Sequence, residues 1–412
     1  MKNMNTIFFL CVIFIIFLSF PCYAISKSND KIKVLNRQAW ELIKQKKYSE
    51  AMEICERILN IDNNNSIALS YRGYIYDKKG QYELALKDCE KAVKIDKNNK
   101  FGWYGIGTTL AHTGKYDQSI ISYNRAIEID PKWSWSYVGR GATYCQKGQL
   151  NQGIEDYSKA IDLDPNEITA YINRCSAFGE LGNYPQAVED CNKAITIDSS
   201  NADAYFGRGF VYMHMNDLKS AILDFNKTIE INPNHNYAHS SLGYCYLYSK
   251  EYDLAIEILT KAVNIDPKEP LNYFYRGLAY YYEVDKYQFA IEDFTECIKI
   301  NPKYAPAYSK RADCYLVLRQ YENAIKDCTQ AISLEPTPDT YIGRAVVYAF
   351  KRDFNKAISD LKEAIKLDPK NYTANRNLII IYIIKYIWLV IIILILTGMF
   401  IYGKILIRRA QK

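Results

Sequence analysis

The sequence predicts an all-α protein made of about ten helix-turn-helix repeats of 34 residues, followed by one transmembrane helix. Three observations lead to this prediction. Residues that break helices are few, with 19 Gly and 12 Pro among 412 residues. Similar segments return with a period of 34 residues. An uncharged stretch of 18 residues, residues 386–403, lies near the C-terminus.

Composition and charge exclude several classes of protein. Hydrophobic residues at 49% and charged residues at 24% are ordinary for a globular chain, which argues against disorder and against a polytopic membrane protein. The net charge of +6 comes mainly from the two ends, from Lys2 and from the basic residues after residue 403. Because the rest of the chain is nearly neutral, it lacks the basic face that phosphate binding requires, and we expect no nucleic-acid partner.

The N-terminal segment is typical of a secretory signal peptide. Lys2 precedes an apolar run at residues 7–20, and the small residues that follow it include Cys22. We therefore expect a signal peptide over residues 1–24 and a short lead over residues 25–31. A lipid-modified Cys22 and an uncleaved anchor are alternatives that the sequence leaves open.

A small residue at nearly constant spacing sets the phase of the repeats. It is Ala, Ser or Gly, and it occupies position 20 of each unit. Positions 4, 8 and 11 are neighbours on one helical face, as are positions 20, 24 and 27, so each unit should form two amphipathic helices. Pro often stands at position 32, where it ends the second helix. The units begin at residues 32, 66, 100, 134, 168, 202, 236, about 270, 305 and 338.

These blocks resemble the tetratricopeptide repeat (TPR), as the segments 275–280 and 187–194 illustrate. The resemblance covers residues 32–371. It implies an α-solenoid, a right-handed superhelix of helical hairpins whose first helices line a concave groove, and it implies protein binding rather than catalysis. The first unit departs most from the pattern, with Gln38 and Leu42 in place of Arg and Tyr, as expected of a capping repeat.

Arg at position 7 and Asp at position 23 vary together within this one chain. Seven units carry both residues, and the three units without the Arg lack the Asp as well. We therefore expect partly buried bidentate ion pairs inside each hairpin, with a structural role. The expected pairs are Arg72 with Asp88, Arg140 with Asp156, Arg174 with Asp190, Arg208 with Asp224, Arg276 with Asp293, Arg311 with Asp327, and Arg344 with Asp360.

The resemblance implies that positions 2, 5, 9 and 12 of the first helices face the groove. Apolar and aromatic residues there would make a partner-binding surface, and the alternative is that they pack against neighbouring repeats. Chaperone-binding members of the family use Lys, Arg and Asn at positions 5 and 9, but only Asn36 and nearby Lys33 resemble that pattern here. The predicted groove residues are Phe101, Tyr104, Trp135, Val138, Ile172, Phe206, Phe210, Tyr244, Phe274 and Tyr281.

The remaining reactive side chains give no sign of chemistry. Nine Cys follow the predicted signal peptide, and we expect them to be unpaired, buried and hydrophobic in role. Because free thiols are unusual in an oxidising compartment, a reducing one remains open. His235 and His239 are spaced as a helical pair but have no carboxylate or Cys partner, so we expect no metal. No catalytic or nucleotide-binding motif occurs, so we expect no enzyme activity, no cofactor and no small-molecule substrate.

The C-terminal part predicts a capping helix at residues 372–385, a transmembrane helix at residues 386–403 and a basic cytoplasmic tail at residues 404–412. Positive charges flank the span about equally, so orientation depends on the signal peptide. We expect a single-pass membrane protein whose repeats lie on the extracytoplasmic side, in a periplasm, at a cell surface or in a secretory lumen.

The sequence therefore predicts a non-enzymatic scaffold that binds a peptide or protein partner. An accessory or assembly factor, similar to a co-chaperone and holding a client enzyme, is the alternative. The identity of the partner and the oligomeric state stay open.

Overall fold

The computed structural model describes residues 30–283 and 285–410, and the regular secondary structure in that part is entirely helical. The chain divides into two compact units, Met1–Val211 and Tyr212–Lys412, which are considered separately. The predicted signal peptide lies outside the described residues.

The first unit is a stack of antiparallel helices. Its helices are α1 (30–44), α2 (Tyr48–Ile61), α3 (Ser66–Lys78), α4 (Tyr82–Ile95), α5 (Lys100–His112), α6 (Tyr116–Ile129), α7 (Ser134–Gln146), α8 (Leu150–Leu163), α9 (Ile168–Glu180) and α10 (Tyr184–Ile197). Helix α11 (Ala202–His214) begins in this unit and ends in the next.

The second unit continues the same pattern. Its helices are α12 (Leu218–Ile231), α13 (Asn236–Tyr248), α14 (Tyr252–Ile265), α15 (Pro270–Tyr282), α16 (Tyr287–Ile300), α17 (Ala305–Val317), α18 (Tyr321–Leu334), α19 (Pro338–Phe350), α20 (Phe354–Leu367) and α21 (Tyr372–Ala410).

Helices α3 to α20 begin where the period predicts them, with first helices at Ser66, Lys100 and Ser134, for example. The fold is an all-α solenoid, as predicted. The count of about ten repeats is too small, because α21 follows the tenth hairpin and its first residues take positions 1 to 13 of a further repeat. The residues predicted to cap the array are therefore the first helix of an eleventh unit.

Two local devices fix the ends of the helices. At position 15, between the two helices of a repeat, the backbone takes a positive φ, as at Gly80 (74°) and Gly114 (76°). Glycine suits this conformation because it has no Cβ. At the end of the second helix an Asp or Asn side chain commonly accepts a hydrogen bond from the backbone two residues ahead, as Asp96 does from Asn98 N at 3.0 Å. This bond stabilises the turn to the next repeat.

The small residues predicted at positions 8 and 20 allow the helices of a hairpin to approach closely. A Cβ atom on Gly73 would lie 2.4 Å from the sulfur of Cys89, and one on Gly243 would lie 2.4 Å from Leu259 Cγ. Cys89 and Leu259 are both fully buried at position 24. The side chain at position 24 therefore fills the space that glycine leaves at position 8.

The single straight transmembrane helix predicted at residues 386–403 is not found. Within the described residues, no single helix is long and apolar enough to cross a membrane, because α21 bends by 42° between its segments Tyr372–Ile387 and Ile391–Lys404. The two segments taken together meet the criteria of length and composition.

Candidate functional site

The structure brings six of the predicted Arg–Asp pairs together. In each pair the Arg Nε and Nη2 atoms donate to both carboxylate oxygens over 2.6–3.0 Å. The Asp side chains are 6–10% exposed and the Arg side chains 15–25%. Arg208 and Asp224 belong to different units, so that pair stays a prediction.

In five of these six pairs, and at Arg208, the guanidinium also binds the preceding repeat, a contact that the sequence analysis missed. Its Nη1 atom commonly donates to a polar side chain at position 25 of the preceding repeat. The hydrogen bond from Arg140 to Asp156 raises the pKa of Arg140 against the opposing effect of burial, so the guanidinium stays charged while it joins the two repeats. The acceptors are Asn124 for Arg140, Ser158 for Arg174, Asn192 for Arg208, Thr260 for Arg276, Thr295 for Arg311 and Thr329 for Arg344, at 2.6–3.2 Å.

Aromatic side chains from the first four repeats converge in the first unit. We call them the ring cluster, and its members are Trp40, Tyr71, Phe101, Tyr104, Trp133 and Trp135. The centroid of the Trp40 ring lies 4.9 Å from that of Phe101 and 5.2 Å from that of Trp135. Tyr104 lies 5.1 Å from Trp133. Contacts of this kind favour edge-to-face and offset arrangements and stabilise the packing.

The rings of the cluster pack closely against one another. The space left between them is about 10 Å³, roughly the minimum that one water molecule needs. Burial raises the pKa of Tyr104 far above its usual value. Phe101, Tyr104 and Trp135 are half-buried and contact rings of other repeats, as the packing alternative describes, and their role in binding a partner stays a prediction.

Four other predicted groove residues lie in the first unit. Val138 and Ile172 are half-buried and pack against the cores between repeats. The rings of Phe206 and Phe210 lie 6.3 Å apart, and Phe210 is 42% exposed. Of the four, only Phe210 is an exposed residue.

The first helices of the second unit carry four tyrosines that are exposed or half-buried. We call them the tyrosine face: Tyr237 and Tyr244 on α13, and Tyr275 and Tyr281 on α15, the last two packed against the core cluster. Tyr237 is 64% exposed, while the other three are half-buried. The rings of Tyr244 and Tyr275 lie 5.3 Å apart, edge to face. Burial, with a smaller contribution from Tyr248, raises the pKa of Tyr244 to about 12, so its phenol is neutral and can both donate and accept hydrogen bonds.

A charged pair borders the tyrosine face. The Nζ atom of Lys310 lies 5.5 Å from the centre of the Tyr281 ring and donates to Asp313 at 2.9 Å. Burial lowers the pKa of Lys310, but the attraction of Asp313 outweighs it and leaves that pKa raised. The ammonium group therefore stays protonated over the ring, in a cation–π arrangement.

Phe274 does not belong to the tyrosine face, which corrects the prediction. Its side chain is 7% exposed and packs in the core, with its ring centroid 5.0 Å from that of Tyr304 and 5.8 Å from that of Phe294. Phe274 packs inside the hairpin against the large ring of Phe294, at position 24 of the same repeat.

Two of the Cys predicted to be unpaired form a disulfide. Cys175 on α9 and Cys191 on α10 are linked, with Cα atoms 5.9 Å apart. They occupy positions 8 and 24 of the fifth repeat. The same two positions are in close contact in the second repeat, where the residues are Gly73 and Cys89. The signal was available in the sequence, since no other repeat has Cys at both positions. The other described Cys are free thiols, and all but Cys145 are buried.

The two neighbouring His serve local structure. His235 Nδ1 accepts a hydrogen bond from Ala238 N at 3.1 Å and so caps α13. His239 is 4% exposed, and its Nδ1 atom lies 3.0 Å from the carbonyl oxygen of His235. Within the described residues no three His, Cys, Asp or Glu side chains come together as a metal site.

A stack of helical hairpins of constant period, with exposed aromatic side chains on its first helices, defines a helical-repeat protein. Family models described as tetratricopeptide repeat or TPR repeat together match more than half of the chain, so the chain belongs to the tetratricopeptide repeat family. The matched residues are 32–65, 66–99, 101–133, 141–182, 176–216, 202–235, 237–269, 305–338 and 338–371.

Individual relatives share only short segments. The chain is 47% identical to sperm-associated antigen 1 of Mus musculus over 49 residues, which are 12% of this chain and 5% of that protein. It is 45% identical to Hsp70-Hsp90 organizing protein 1 of Glycine max over 56 residues, 14% of this chain and 10% of that protein. The solved structure of MamA is 30% identical, with a TM-score of 0.36, over 40% of this chain and 95% of MamA.

Proposed function

We propose that this protein is a non-enzymatic, membrane-anchored scaffold that binds a protein or peptide partner on its tyrosine face. The observation that carries the proposal is the exposure of Tyr237 on α13, beside the half-buried Tyr244. Neither residue contributes to the core cluster of the neighbouring hairpins, in which Leu259 and Phe294 are buried.

The chemistry of the face suits a protein partner. Tyrosine combines a large apolar ring with a hydroxyl group that needs a hydrogen-bond partner, and it is enriched in binding hot spots. Lys310 and Asp313 add a charged rim, which favours orientation over affinity. A polypeptide offers both the apolar groups and the backbone donors and acceptors that such a surface recognises.

Cross-linking on the native membrane tests this proposal. A photoreactive amino acid placed at Tyr237 or Tyr244 should give an adduct with a discrete partner. Phe289 provides the control position, because it is aromatic and 54% exposed but lies on a second helix, α16. Equal adducts at all three positions, or none at the two tyrosines, would contradict the proposed site.

The same partner then permits a quantitative test. Replacing Tyr237 and Tyr244 by Ser should weaken its binding by about a hundredfold or more, since aromatic hot spots each contribute about 2 kcal/mol. The Phe289→Ser variant should bind as the wild type does. A partner bound equally well by both variants must use another surface.

The anchor and the compartment are part of the proposal. The two apolar segments of α21 support anchoring, and the disulfide between Cys175 and Cys191 favours an oxidising, extracytoplasmic location for the repeats. An impermeant protease added to intact cells should digest the repeats and spare the tail. Protected repeats with a digested tail would reverse the orientation.

The similarity to an Hsp70-Hsp90 organizing protein favours a second candidate, an accessory factor that holds a client enzyme. The two candidates differ in what the adduct contains. An enzyme that loses stability when the scaffold is absent supports the accessory role, whereas a regulatory or structural polypeptide supports the first.

A further inference from the structure

In the second unit, the turns between first and second helices carry exposed apolar side chains. The last residue of each first helix, at position 13, is apolar or aromatic in the seventh to tenth repeats, and we call these four residues the turn row. They are Tyr248 (56% exposed), Tyr282 (51%), Val317 (49%) and Phe350 (63%). In the first six repeats the same position carries Lys44, Lys78, His112, Gln146, Glu180 and His214.

Contacts between successive repeats place members of the turn row next to one another. The ring of Tyr282 stacks on that of Tyr252, at the start of the preceding second helix, with centroids 5.7 Å apart. Lys351, beside Phe350, forms an ion pair with Glu322 of the ninth repeat. The first contact joins the turns of the seventh and eighth repeats and the second joins those of the ninth and tenth, and all four turns lie at the same end of their hairpins.

Helix α21 leaves the repeat array at this same end of the hairpins. Lys385 occupies position 14 of the eleventh unit and donates to Asn355 Oδ1 at 2.7 Å. Lys351 and Glu322 occupy the matching positions, 14 and 18, one repeat earlier. In the earlier repeats the chain turns back near this position, but α21 bends by only 42° after Ile387 and runs on to Ala410. The apolar residues after Lys385 therefore project beyond the turns.

We propose that the turn row rests on the headgroup region of the lipid bilayer that α21 enters. This inference depends on the proposed anchoring. If the apolar part of α21 lies in the hydrocarbon, Lys385 marks the surface of the bilayer, and the adjacent turns meet that surface. Exposed Tyr and Phe side chains are favoured at this depth, because their rings are apolar and the region is partly hydrated.

Charge at the tips of the turns agrees with a lipid surface. Position 15 is Gly in the second to fifth repeats, but it is Lys250, Arg319 and Arg352 in the seventh, ninth and tenth, with φ of 64°, 59° and 66°. A left-handed conformation is unfavourable for a residue with a Cβ atom. Three of the four turns nearest the span thus carry a cation where glycine would be the easier choice, and the eighth repeat has Asp285 there. Lys46 of the first repeat, with a φ of 58°, shows the same feature far from the span in sequence.

A lipid surface explains these features better than a protein partner does. At position 13, exposed apolar residues begin only in the seventh repeat, close to α21, and the row extends to Ile384, which is 48% exposed at position 13 of the eleventh unit. A surface that binds a polypeptide would not need to lie in the repeats nearest the apolar helix.

Photocross-linking to lipid tests the proposal on the full chain. A benzophenone amino acid replaces Phe350 or Tyr282, and the protein is reconstituted in vesicles of phosphatidylcholine with phosphatidylserine. The control position is Leu367, which is 51% exposed at the far end of α20. That end lies about 20 Å along the helix from the turn after Phe350. After flotation and irradiation, mass spectrometry measures the lipid adduct.

We expect several-fold more lipid adduct at positions 350 and 282 than at position 367. The Arg319→Gln/Arg352→Gln variant should lower that adduct in vesicles with phosphatidylserine and leave it unchanged in phosphatidylcholine alone. A chain that floats but gives equal adducts at the three positions, or protein adducts in place of lipid, overturns the turn-row proposal and leaves the anchor intact. A chain that does not float removes the anchor and the turn row together.

Discussion

Arg140 binds Asn124 of the preceding repeat, with 2.6 Å between Nη1 and Oδ1, while the same guanidinium binds both carboxylate oxygens of Asp156. One side chain thus joins α6, α7 and α8. The bond to Asp156 closes a hairpin, and the bond to Asn124 fastens that hairpin to its neighbour. Two interfaces therefore depend on a single residue.

Removing Arg140 should destabilise the protein more than removing the whole pair would suggest. Arg140→Ala leaves the Asp156 carboxylate, 8% exposed, without its partner, which costs on the order of 3 kcal/mol. In the Arg140→Ala/Asp156→Ala variant that stranded charge is absent. Urea unfolding of the four proteins of the cycle should give a coupling of at least about 1 kcal/mol. Strict additivity would mean that the pair contributes nothing.

The contact between repeats should be separable from the contact within the hairpin. Asn124→Ala removes one hydrogen bond to a charged group and should cost about 1.5–3 kcal/mol. The Thr329→Val variant tests the same bond to Arg344 in the second unit, at 3.1 Å, with little change of shape. Unchanged midpoints of urea unfolding for both variants would show that position 25 has no role in stability.

Glycine at position 8 should be intolerant of a side chain where position 24 is large. Gly243→Ala places a Cβ atom 2.4 Å from Leu259 Cγ and should cost about 1–3 kcal/mol through overpacking. Gly343→Ala is the control, because no atom lies within 4 Å of the added Cβ, and helix propensity should make it neutral or stabilising. Thermal unfolding measures both. If both variants changed the unfolding temperature equally, the cause would be the replacement of glycine in a helix and not overpacking against Leu259.

The disulfide should stabilise the fifth repeat by closing a loop of 16 residues. Cys175→Ala restores the arrangement of Ala312 and Cys328 in the ninth repeat, and it should cost about 3 kcal/mol under non-reducing conditions. Reductant should lower the stability of the wild type to that of the variant. Alkylation of the unfolded protein, followed by mass spectrometry, counts the thiols. A wild type with no protected pair would contradict the disulfide.

The buried thiols should react only when the protein unfolds. Burial raises the pKa of Cys55, Cys245 and Cys328 to about 12, so at pH 8 only about one thiol in ten thousand is ionised in the folded state. The unfolded thiols ionise near pH 8.5, so this contribution to stability is present below that pH and falls away toward pH 12. Iodoacetamide labelling with and without urea, across this range, measures both effects. Rapid labelling of native Cys55 at pH 8 would contradict its burial.

The period of the sequence was enough to predict the helices, because every repeat solves the same packing problem. Helix α13 begins at Asn236 and α17 at Ala305, as the spacing requires. The Arg–Asp pairs were also predictable, since Arg at position 7 and Asp at position 23 occur together or not at all. The hydrogen bond to position 25 was not predictable, because the residue there is Asn in some repeats and Ser or Thr in others. These residue types share only a side-chain oxygen that accepts a hydrogen bond.

Contacts between distant repeats could not be obtained from a repeat pattern. Trp40 and Trp135 meet at 5.2 Å although three repeats separate them, and their meeting depends on the rotation between successive hairpins. For that reason the contacts of Trp40 with Phe101 and Trp135 could not be predicted from the period. The disulfide depends on the contact between positions 8 and 24 of one hairpin, which the number of Cys in the chain does not reveal.

The Arg bonds to position 25 have a mechanical consequence. Ile106 and Leu242 replace the Arg in the third and seventh repeats, and Arg72 of the second repeat bonds only to Asp88, so among the described residues no such bond ties these three repeats to the ones before them. In a linear array each repeat contacts only its neighbours, so each interface has its own strength. Under load these three interfaces should yield first, and the protein should lengthen in discrete steps.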